Sequence, residues 1–427
     1  MNQTESTSFK IKNIEHFKQK ALYWANMFSN FCALDNNEYA NYNYSSFEYT
    51  LAVDAIDFLK AHNFDKLEEF KKDKDVFGYF SYDLKNEIEK LSSENKDVLK
   101  MPQLYFFEPR YLLQIKNNSI TINRNYPEAV HIVDYIENIE LPKKNNKQNF
   151  ELKLNVSKEE YIDNVKKIQN HIVEGDVYEL NYCVEYFAKD ICIEPIPLFN
   201  VINQKSKAPF SCLLKFENYY TLSFSPERFL KKENNKLISQ PIKGTIKKSK
   251  NKEENEKLKA SLKADLKERA ENVMIVDLVR NDLTKSSKMG TIKVEELFEI
   301  YEFETINQMI STIVSEKKET ISNTDIIKNT FPMGSMTGTP KVRAMQIIEG
   351  LEKQKRGIYS GAIGYFNKNN DFDFNVVIRS LVYDSNSNYL SLQVGGAITY
   401  DSVPEKEWQE TKIKVQAIVE ELSSCVK

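Results

Sequence analysis

Two pairs of glutamates have the spacing of neighbours on one face of a helix. Glu268 and Glu271 stand three residues apart in "LKERAEN", and Glu407 and Glu410 repeat that spacing in "EKEWQET". Residues three apart lie side by side on an α-helix, so each pair would present two carboxylates together. Mg²⁺ takes oxygen ligands, usually one or two protein carboxylates, with the rest from water and an anionic substrate. Two facing helices would suit this ion, although each pair alone is more often a salt-bridged or solvated surface.

A lysine in the segment "QPIKGT" has the chemistry of a nucleophile. Lys243 follows a β-branched strand pattern and precedes a glycine. An ordinary lysine, with a pKa of about 10.4, is almost fully protonated at neutral pH, so covalent chemistry requires a site that stabilises the free amine. Because 59 of the 427 residues are Lys or Arg, a single loop lysine is usually only solvated. The residue alone leaves both interpretations open.

Three further segments contain groups that bind anions or let a ligand approach closely. "MGSMTGTPKVR" leads into a helix, with Thr339 expected as the N-cap and Pro340 as the first helical residue, and such a helix start favours an anion. Arg379 is expected in the middle of the strand "VVIRSLVY", where a guanidinium normally needs a carboxylate. Gly395 and Gly396 leave backbone without side chains, which allows close approach of a ligand or marks a bulge.

The elements that must position these residues predict an α+β fold, with large antiparallel β-sheets packed together and flanked by helices. Segments such as "YYTLSFSP" and "KLISQPIKGT" indicate strands, and "IYSGAIGYF", "FDFNVVIRSLVY" and "YLSLQVGGAITY" follow one another with short polar turns, as in an antiparallel meander. Helices are expected over 254–280, 340–353 and 404–421, and after the N-cap Ser157. The absence of a regular βαβ alternation argues against a parallel sheet.

A polar stretch at 141–155 is expected to separate two units of the chain. We expect an N-terminal subdomain over 1–150 and a catalytic domain over 151–427. Every group described above lies in the second unit.

Composition excludes several classes of function. The formal net charge of −3 gives no basic field, which argues against nucleic acid as a partner. No stretch approaches the roughly 18 apolar residues of a membrane span, and the start "MNQTESTSFKIKN" has no secretory signal. The cysteines form no CxxC pair, which predicts free thiols in a reducing compartment and hence a cytoplasmic protein. They stand at Cys32, Cys183, Cys192, Cys212 and Cys425.

Taken in order, seven segments of the chain resemble the chorismate-utilising enzymes. That family includes anthranilate synthase component I, aminodeoxychorismate synthase component I, and the isochorismate and salicylate synthases. The resemblance spans about residues 157–421 and implies the anthranilate synthase component I fold, chorismate as substrate and Mg²⁺ as cofactor. It rests on "SFSPERFL", "PIKGT", "KERAENVMIVDLVRNDL", "FPMGSMTGTPKVRAMQIIEGLE", "RGIYSGAIGY", "VIRS" and "DSVPEKEWQETKIK".

The resemblance also implies roles for individual residues. It makes Lys243 and Glu227 catalytic, the glutamate as general acid and base. It assigns Mg²⁺ to Glu271 and Glu410, with Glu268 and Glu407 as supporting carboxylates. It implies substrate contacts at Ser335, Tyr359, Arg379, Gly395 and Lys414.

Within the family, "PIKGT" resembles the aminodeoxychorismate synthases, since most members carry alanine in place of Lys243. In those enzymes the lysine amine adds to C2 of chorismate as the C4 hydroxyl leaves, and ammonia then enters at C4. This implies formation of 4-amino-4-deoxychorismate for p-aminobenzoate and folate synthesis. The resemblance implies that ammonia comes from a separate glutamine amidotransferase subunit, or from solution.

Several departures from family patterns bear on this expectation. Gln308 stands where anthranilate synthases have a histidine, so no acid role falls there. Glu179 stands where isochorismate and salicylate synthases have a lysine base, which disfavours addition of water at C2. The "LLES" segment of tryptophan-inhibited members is absent, "FCALDNN" at 31–37 being the nearest match, which makes tryptophan feedback doubtful. Anthranilate synthase component I and a non-catalytic chorismate-binding paralogue remain as alternatives.

Overall fold

A computed structural model of the chain describes residues 7–39, 42–123, 129–142 and 151–422. Its helices are α1 (Ile14–Asn26), α2 (Leu67–Phe70), α3 (Lys85–Ile88), α4 (Ala129–Glu137), α5 (Lys158–Val173), α6 (Pro195–Ser206), α7 (Lys252–Ala264), α8 (Leu266–Thr284), α9 (Asn323–Thr330), α10 (Lys341–Leu351) and α11 (Pro404–Leu422). Short 3₁₀ turns lie at Tyr82–Leu84 and Gly334–Met336.

The strands of the described residues are distributed along the whole chain, several of them in direct succession. They are β1 (Thr7–Lys10), β2 (Asn30–Asp35), β3 (Tyr49–Ala61), β4 (Val76–Phe80), β5 (Leu104–Lys116), β6 (Ser119–Ile122), β7 (Lys153–Leu154), β8 (Glu179–Ala188), β9 (Phe210–Phe216), β10 (Tyr219–Ser225), β11 (Arg228–Glu233), β12 (Lys236–Gln240), β13 (Ile242–Lys247), β14 (Lys293–Glu302), β15 (Ile306–Glu316), β16 (Gly338–Thr339), β17 (Ala362–Phe366), β18 (Phe372–Asn375), β19 (Ser380–Asp384) and β20 (Tyr389–Ile398).

The strands pair antiparallel in two series that share the long strand β5. The first series runs β1-β6-β5-β3-β2-β9-β10-β19-β20-β8, with β7 and β16 also paired to β8. The second runs β5-β4-β17-β18-β11-β12-β15, with β13 and β14 also paired to β15. The predicted α+β class with large antiparallel sheets is confirmed.

Alternating side chains show that the two sheets pack face to face between layers of helices. In β2, Phe31 and Ala33 belong to a core that includes residues of α1, α5, α6 and α11, whereas Cys32 and Leu34 belong to a second core. Residues of β4 and β17 join Cys32 and Leu34 there, so this core lies between the sheets. A third core, which includes Phe80, lies on the other side of the second sheet with α8 and α9. The period of two along each strand produces this layering.

Strands from both expected units contribute to the same sheets. Strand β2 pairs with β9 in the first sheet, and β4 pairs with β17 in the second. The division into 1–150 and 151–427 therefore remains a prediction from sequence. Most of the expected linker, residues 143–150, lies outside the described residues.

Local signals placed the helices correctly but not every boundary. The single helix predicted over 254–280 is wrong, because the chain breaks at Asp265, which has an extended backbone between α7 and α8. Thr339 is not the N-cap of α10; it lies in β16, opposite Glu179, and Pro340 caps the helix. Ser157 is confirmed as the N-cap of α5, since its side chain accepts a hydrogen bond from the backbone N–H of Glu160.

The predicted strand through Arg379 is also wrong. The chain leaves β18 after Asn375 and bends at Arg379, which has a φ of 50°, before β19 begins at Ser380. The meander is therefore two hairpin-like pairs, β17 with β18 and β19 with β20, one in each sheet.

Two findings on composition complete the description. No helix among the described residues is long and apolar enough to cross a membrane. The cysteines Cys32, Cys183, Cys192 and Cys212 are free, while Cys425 lies outside the described residues.

Candidate active site

Lys243 lies in an acidic recess and not on the open surface. Its side chain is 11% exposed, and its Nζ atom lies 3.5 Å from Oε1 of Glu179 and 4.0 Å from Oε2 of Glu271. The pairing of β13 with β15 shifts register between Ile242 and Thr245, so the strand is irregular at the lysine itself. Gly244 follows with a φ of +94°, a conformation that favours glycine. The turn signal seen in the sequence thus directs the lysine into the recess.

Glu227 lies on the connection from β10 to β11, where the chain passes from the first sheet to the second. The carboxyl group is buried, and its Oε1 accepts a 2.7 Å hydrogen bond from Oγ of Ser335 on the 3₁₀ turn. Burial raises the pKa of Glu227 to about 7, against the opposing effects of Ser335, Lys243 and Arg379. A carboxyl group with a pKa near 7 can both donate and accept a proton at neutral pH.

Arg379 lies on the matching connection from β18 to β19, which also crosses between the sheets. Its backbone carbonyl accepts a hydrogen bond from the N–H of Phe224, and the carbonyl of Glu227 accepts one from Val376, so the two crossings run side by side. Surrounding protein lowers the pKa of the Arg379 guanidinium, and the charge of Glu227 opposes this. The Arg379 side chain nevertheless retains solvent-accessible surface.

The two glutamate pairs lie on α8 and α11, as predicted. Glu271 is buried, Glu268 and Glu407 are partly buried, and Glu410 is exposed. Burial raises the pKa of both Glu268 and Glu407, and the neighbouring carboxylate on the same helix raises it further. Lys267 experiences the charges of both helices, since Glu271, Glu268 and Glu407 together raise its pKa against the opposing effect of partial burial. The helices therefore present their carboxylates to one region.

This donor set fits Mg²⁺ in its chemistry. All of its members are carboxylates, and the neighbouring negative charge helps to raise the pKa of Glu268 and of Glu407. A divalent cation would relieve this repulsion. However, no three of these four glutamates bring their carboxylate oxygens within 4.8 Å of one another. Among the described residues, the group of three metal-ligating side chains within 4.8 Å is His171, Glu174 and Asp176 near the surface, where Arg343 already pairs with Asp176.

The predicted substrate residues Gly395 and Lys414 contact each other. The Nζ atom of Lys414 lies 2.8 Å from the carbonyl oxygen of Gly395 and 2.6 Å from Oε1 of Glu410. A Cβ atom on Gly395 would lie 2.3 Å from Oδ1 of Asn181 and 2.4 Å from Sγ of Cys183. Glycine is thus required here by the side chains of β8, and not by a bulge.

Tyr359 lies behind this region and not beside the lysine. It is buried against Cys183 and Arg356, and burial raises its pKa well above the ordinary value. A chain of contacts still joins it to the site. The thiol of Cys183 donates to Oδ1 of Asn181, and Nδ2 of Asn181 donates to the carbonyl of Ser335.

Three residues of the site were not assigned a role from sequence. Glu179 was noted only as a replacement, yet it is 2% exposed and faces Lys243, and its Oε2 has no hydrogen-bond partner among the described residues. Burial raises its pKa, with Lys243 opposing and Glu271 adding to the rise. Arg356 is buried and donates to the carbonyls of Met336 and Asn181.

Lys267 is the third of these residues, and sequence gave no reason to single it out. A charged residue at the start of β8 and an arginine before "GIYSG" were visible signals for the other two. Gln308 is buried, donates weakly to Thr245 at 3.4 Å, and leaves its own Oε1 without a partner among the described residues.

Comparison with known proteins defines the class. A family model described as chorismate binding enzyme matches residues 19–420. The chain belongs to this family of chorismate-binding enzymes, which confirms the resemblance drawn from the sequence motifs.

The individual relatives of this chain include enzymes of two different activities at the same level of identity. The chain is 32% identical over 268 residues to aminodeoxychorismate synthase component 1 of Escherichia coli K12, covering 63% of this chain and 58% of that protein. It is equally similar, 32% over 265 residues, to anthranilate synthase component 1 of Aquifex aeolicus, covering 62% of this chain and 53% of that protein. The match thus spans somewhat more than half the length of these relatives. A chloroplastic aminodeoxychorismate synthase of Arabidopsis thaliana is 40% identical over 264 residues, covering 61% of this chain and 28% of that protein.

Solved structures support the fold. Anthranilate synthase component I from Streptococcus pneumoniae superposes with a TM-score of 0.78 at 23% identity, covering 86% of this chain and 91% of that chain. The isochorismate synthase MenF of Escherichia coli gives 0.78 at 17% identity, covering 98% and 94%. The expected anthranilate synthase component I fold is confirmed.

Proposed function

We propose that the protein is an aminodeoxychorismate synthase component I, which converts chorismate and ammonia to 4-amino-4-deoxychorismate and water. The observation that supports this most is the position of Lys243. The amine lies in a recess bounded by Glu179 and Glu271, and its charge acts on the buried Glu227. A lysine that merely solvates a loop would have no reason to be 11% exposed among three carboxyl groups.

The proposed chemistry uses the lysine as a nucleophile in two displacements. Once the ammonium group of Lys243 has passed a proton to the carboxylate of Glu227, its free amine forms a bond to C2 of chorismate while the C4 hydroxyl leaves and takes that proton, giving water. Ammonia then forms a bond to C4 as the bond from C2 to the lysine breaks. The carboxylate of Glu227 accepts the proton released by the new amine, which restores both groups. A pKa of about 7 suits Glu227 to both transfers.

Mg²⁺ belongs to this proposal as the cofactor that Glu271 and Glu410 would hold, with Glu268 and Glu407 in support. When bound, it would neutralise the ring carboxylate and make the C4 hydroxyl a better leaving group. Arg379 and Lys414 provide positive charge for the carboxylates of the substrate. Ser335 orients Glu227, since its hydroxyl already donates to that carboxyl group. Gly395 and Tyr359 complete the wall behind them.

The proposal extends to the source of ammonia and to the setting. We propose a separate glutamine amidotransferase subunit as the donor, because the bacterial relatives are named component 1 of their enzymes. The product would feed p-aminobenzoate and folate synthesis in the cytoplasm. The free thiols of the described cysteines agree with a reducing compartment.

Intact-protein mass spectrometry tests the role of the lysine directly. Wild type, Lys243→Ala and Lys247→Ala would be incubated with chorismate and Mg²⁺ without ammonia; Lys247 is exposed on the same strand and serves as control. We expect a covalent adduct in the wild type and the control, and none in Lys243→Ala. An adduct of equal yield in all three proteins would refute the assignment of Lys243.

The same mixtures with ammonium then separate the candidate activities. Aminodeoxychorismate from the wild type supports the proposal. Anthranilate, which fluoresces, would identify the second candidate, anthranilate synthase component I, which the equally similar Aquifex relative favours. Binding of chorismate without its consumption would identify a non-catalytic paralogue.

A further inference from the structure

The carboxylate of Glu271 lies between two lysines, one at each oxygen. Lys267, one helical turn earlier on α8, places its Nζ atom 3.5 Å from Oε1. Lys243, on β13, places its Nζ atom 4.0 Å from Oε2. The residue proposed as a principal metal ligand therefore has an ammonium group at each oxygen.

The two lysines differ in how firmly they are held. Lys243 is enclosed by protein and also faces Glu179, so its position is fixed from both sides. The Lys267 side chain is 56% exposed, and among the described residues Glu271 is its ion-pair partner. Long exposed lysine side chains reorient readily, because a solvent-exposed ion pair contributes little to stability. Lys267 is the ammonium group that can leave.

Carboxylates of both α8 and α11 act on the charge of Lys267. The charges of Glu271, Glu268 and Glu407 all act on it, and the third of these comes from the opposite helix. Glu410 is balanced separately, by Lys414 at 2.6 Å. With all groups ionised, five carboxylates face three ammonium groups, so the lysines offset only part of the negative charge before any metal binds. The carboxylates are Glu179, Glu268, Glu271, Glu407 and Glu410, and the ammonium groups are Lys243, Lys267 and Lys414.

We infer that Lys267 is a tethered counter-cation of the candidate metal site, which a divalent cation must displace from Glu271 in order to bind. The inference rests on the Mg²⁺ site of the proposed function. It implies that Mg²⁺ binds weakly to the free protein. Displacement leaves the ammonium group of Lys267 without its carboxylate, and a dicarboxylate such as the proposed substrate would pair with it, so metal and substrate binding should reinforce each other.

Calorimetric titration of Mg²⁺ into the full chain, without chorismate, tests this. The variants are Lys267→Met, which removes the charge, Lys267→Arg, which keeps it, and the control Lys263→Met, whose lysine pairs with Glu299 on β14. Methionine and lysine have similar helix propensity, so α8 should remain intact. We expect Lys267→Met to bind Mg²⁺ about three- to tenfold more tightly than the wild type, with the other two near the wild type. Binding detectable only in Lys267→Met would give the same support.

Two results would overturn the inference. One is equal or weaker binding of Mg²⁺ by Lys267→Met, including the case in which no variant binds. The other is a gain that persists when Glu271→Gln is added, because the lysine would then act somewhere other than at this carboxylate. Since the titration contains no chorismate, its result does not depend on which product the enzyme makes, and failure of the proposed reaction would be recognised separately.

Discussion

The buried carboxyl group of Glu227 links the stability of the protein to pH. Burial raises its pKa from 4.5 to about 7. A folded-state pKa above the unfolded one means that the proton stabilises the fold: this contribution is fully present below pH 4.5 and is lost as the pH rises through about 7. At about 1.36 kcal/mol per pKa unit, the loss between pH 5 and pH 8 amounts to about 2.5 kcal/mol.

The variant Glu227→Gln removes this loss, because an amide does not ionise. Its unfolding free energy relative to the wild type should be higher at pH 8 than at pH 5 by about 2.5 kcal/mol. Any cost of fitting the amide group is the same at both pH values and cancels in the difference. Urea denaturation at the two pH values, without chorismate, measures it.

A matched variant shows whether the effect belongs to burial. Glu69→Gln changes an exposed carboxylate and should leave the difference between pH 5 and pH 8 unchanged. If Glu227→Gln also showed the same relative stability at both pH values, the carboxyl group would not titrate near 7, and its proposed role in proton transfer would fail. If the reasoning holds, the variant should be more stable at pH 8 and yet about 10²- to 10⁴-fold slower in turnover.

Two further substitutions test how the site is built. Gly395→Ala would place a methyl group 2.3 Å from Oδ1 of Asn181 and should lower the free energy of unfolding by about 1–3 kcal/mol, measured by urea denaturation. The control Gly350→Ala, whose methyl group meets open space on α10, should not lower it. Equal effects of the two substitutions would refute the close approach at Gly395. Asp265→Ala removes the N-cap of α8 and should lower the free energy of unfolding by about 1 kcal/mol and also weaken Mg²⁺ binding. The control Asn251→Ala removes the N-cap of α7 and should lower the stability by a similar amount without changing Mg²⁺ binding. Unchanged Mg²⁺ affinity in Asp265→Ala would show that the helix start does not position the carboxylates.

Local patterns in the sequence predicted what local interactions determine. The glutamate pairs lie on helix faces because a spacing of three residues is sufficient to place them there. The alternation in the strands likewise predicted large antiparallel sheets. The break at Asp265 was missed because the residues on both sides of it favour helix, and only the geometry of the N-cap marks the new start.

The site itself depends on contacts that spacing cannot reveal. Glu179 and Lys243 meet although 64 residues separate them, because β8 and β13 belong to different sheets whose relative position is set by distant strands. The β-branched residues around Arg379 predict a strand, yet Arg379 lies on the connection by which the chain passes from one sheet to the other. Lys267 is an ordinary helix lysine in the sequence, and spacing cannot reveal that the charge of Glu407, on another helix, acts on it.

The crossings between the sheets explain why the chemistry is located where it is. Glu227 follows β10 of the first sheet and precedes β11 of the second, and Arg379 connects the same two sheets in the opposite direction. Where a chain leaves one sheet for another, the ladder of backbone hydrogen bonds between strands ends, and Glu227 and Arg379 lie on these connections.

The two connections lie side by side only while the two sheets hold their relative position. The N-terminal strands hold it, since β2 pairs with β9 beside β10, β4 pairs with β17 beside β18, and β5 belongs to both series. All of the proposed catalytic residues lie beyond residue 150, but the geometry that brings Glu227 towards Lys243 depends on strands that precede it. The N-terminal part of the chain is therefore a structural component of the candidate active site, although it contributes none of the reacting groups.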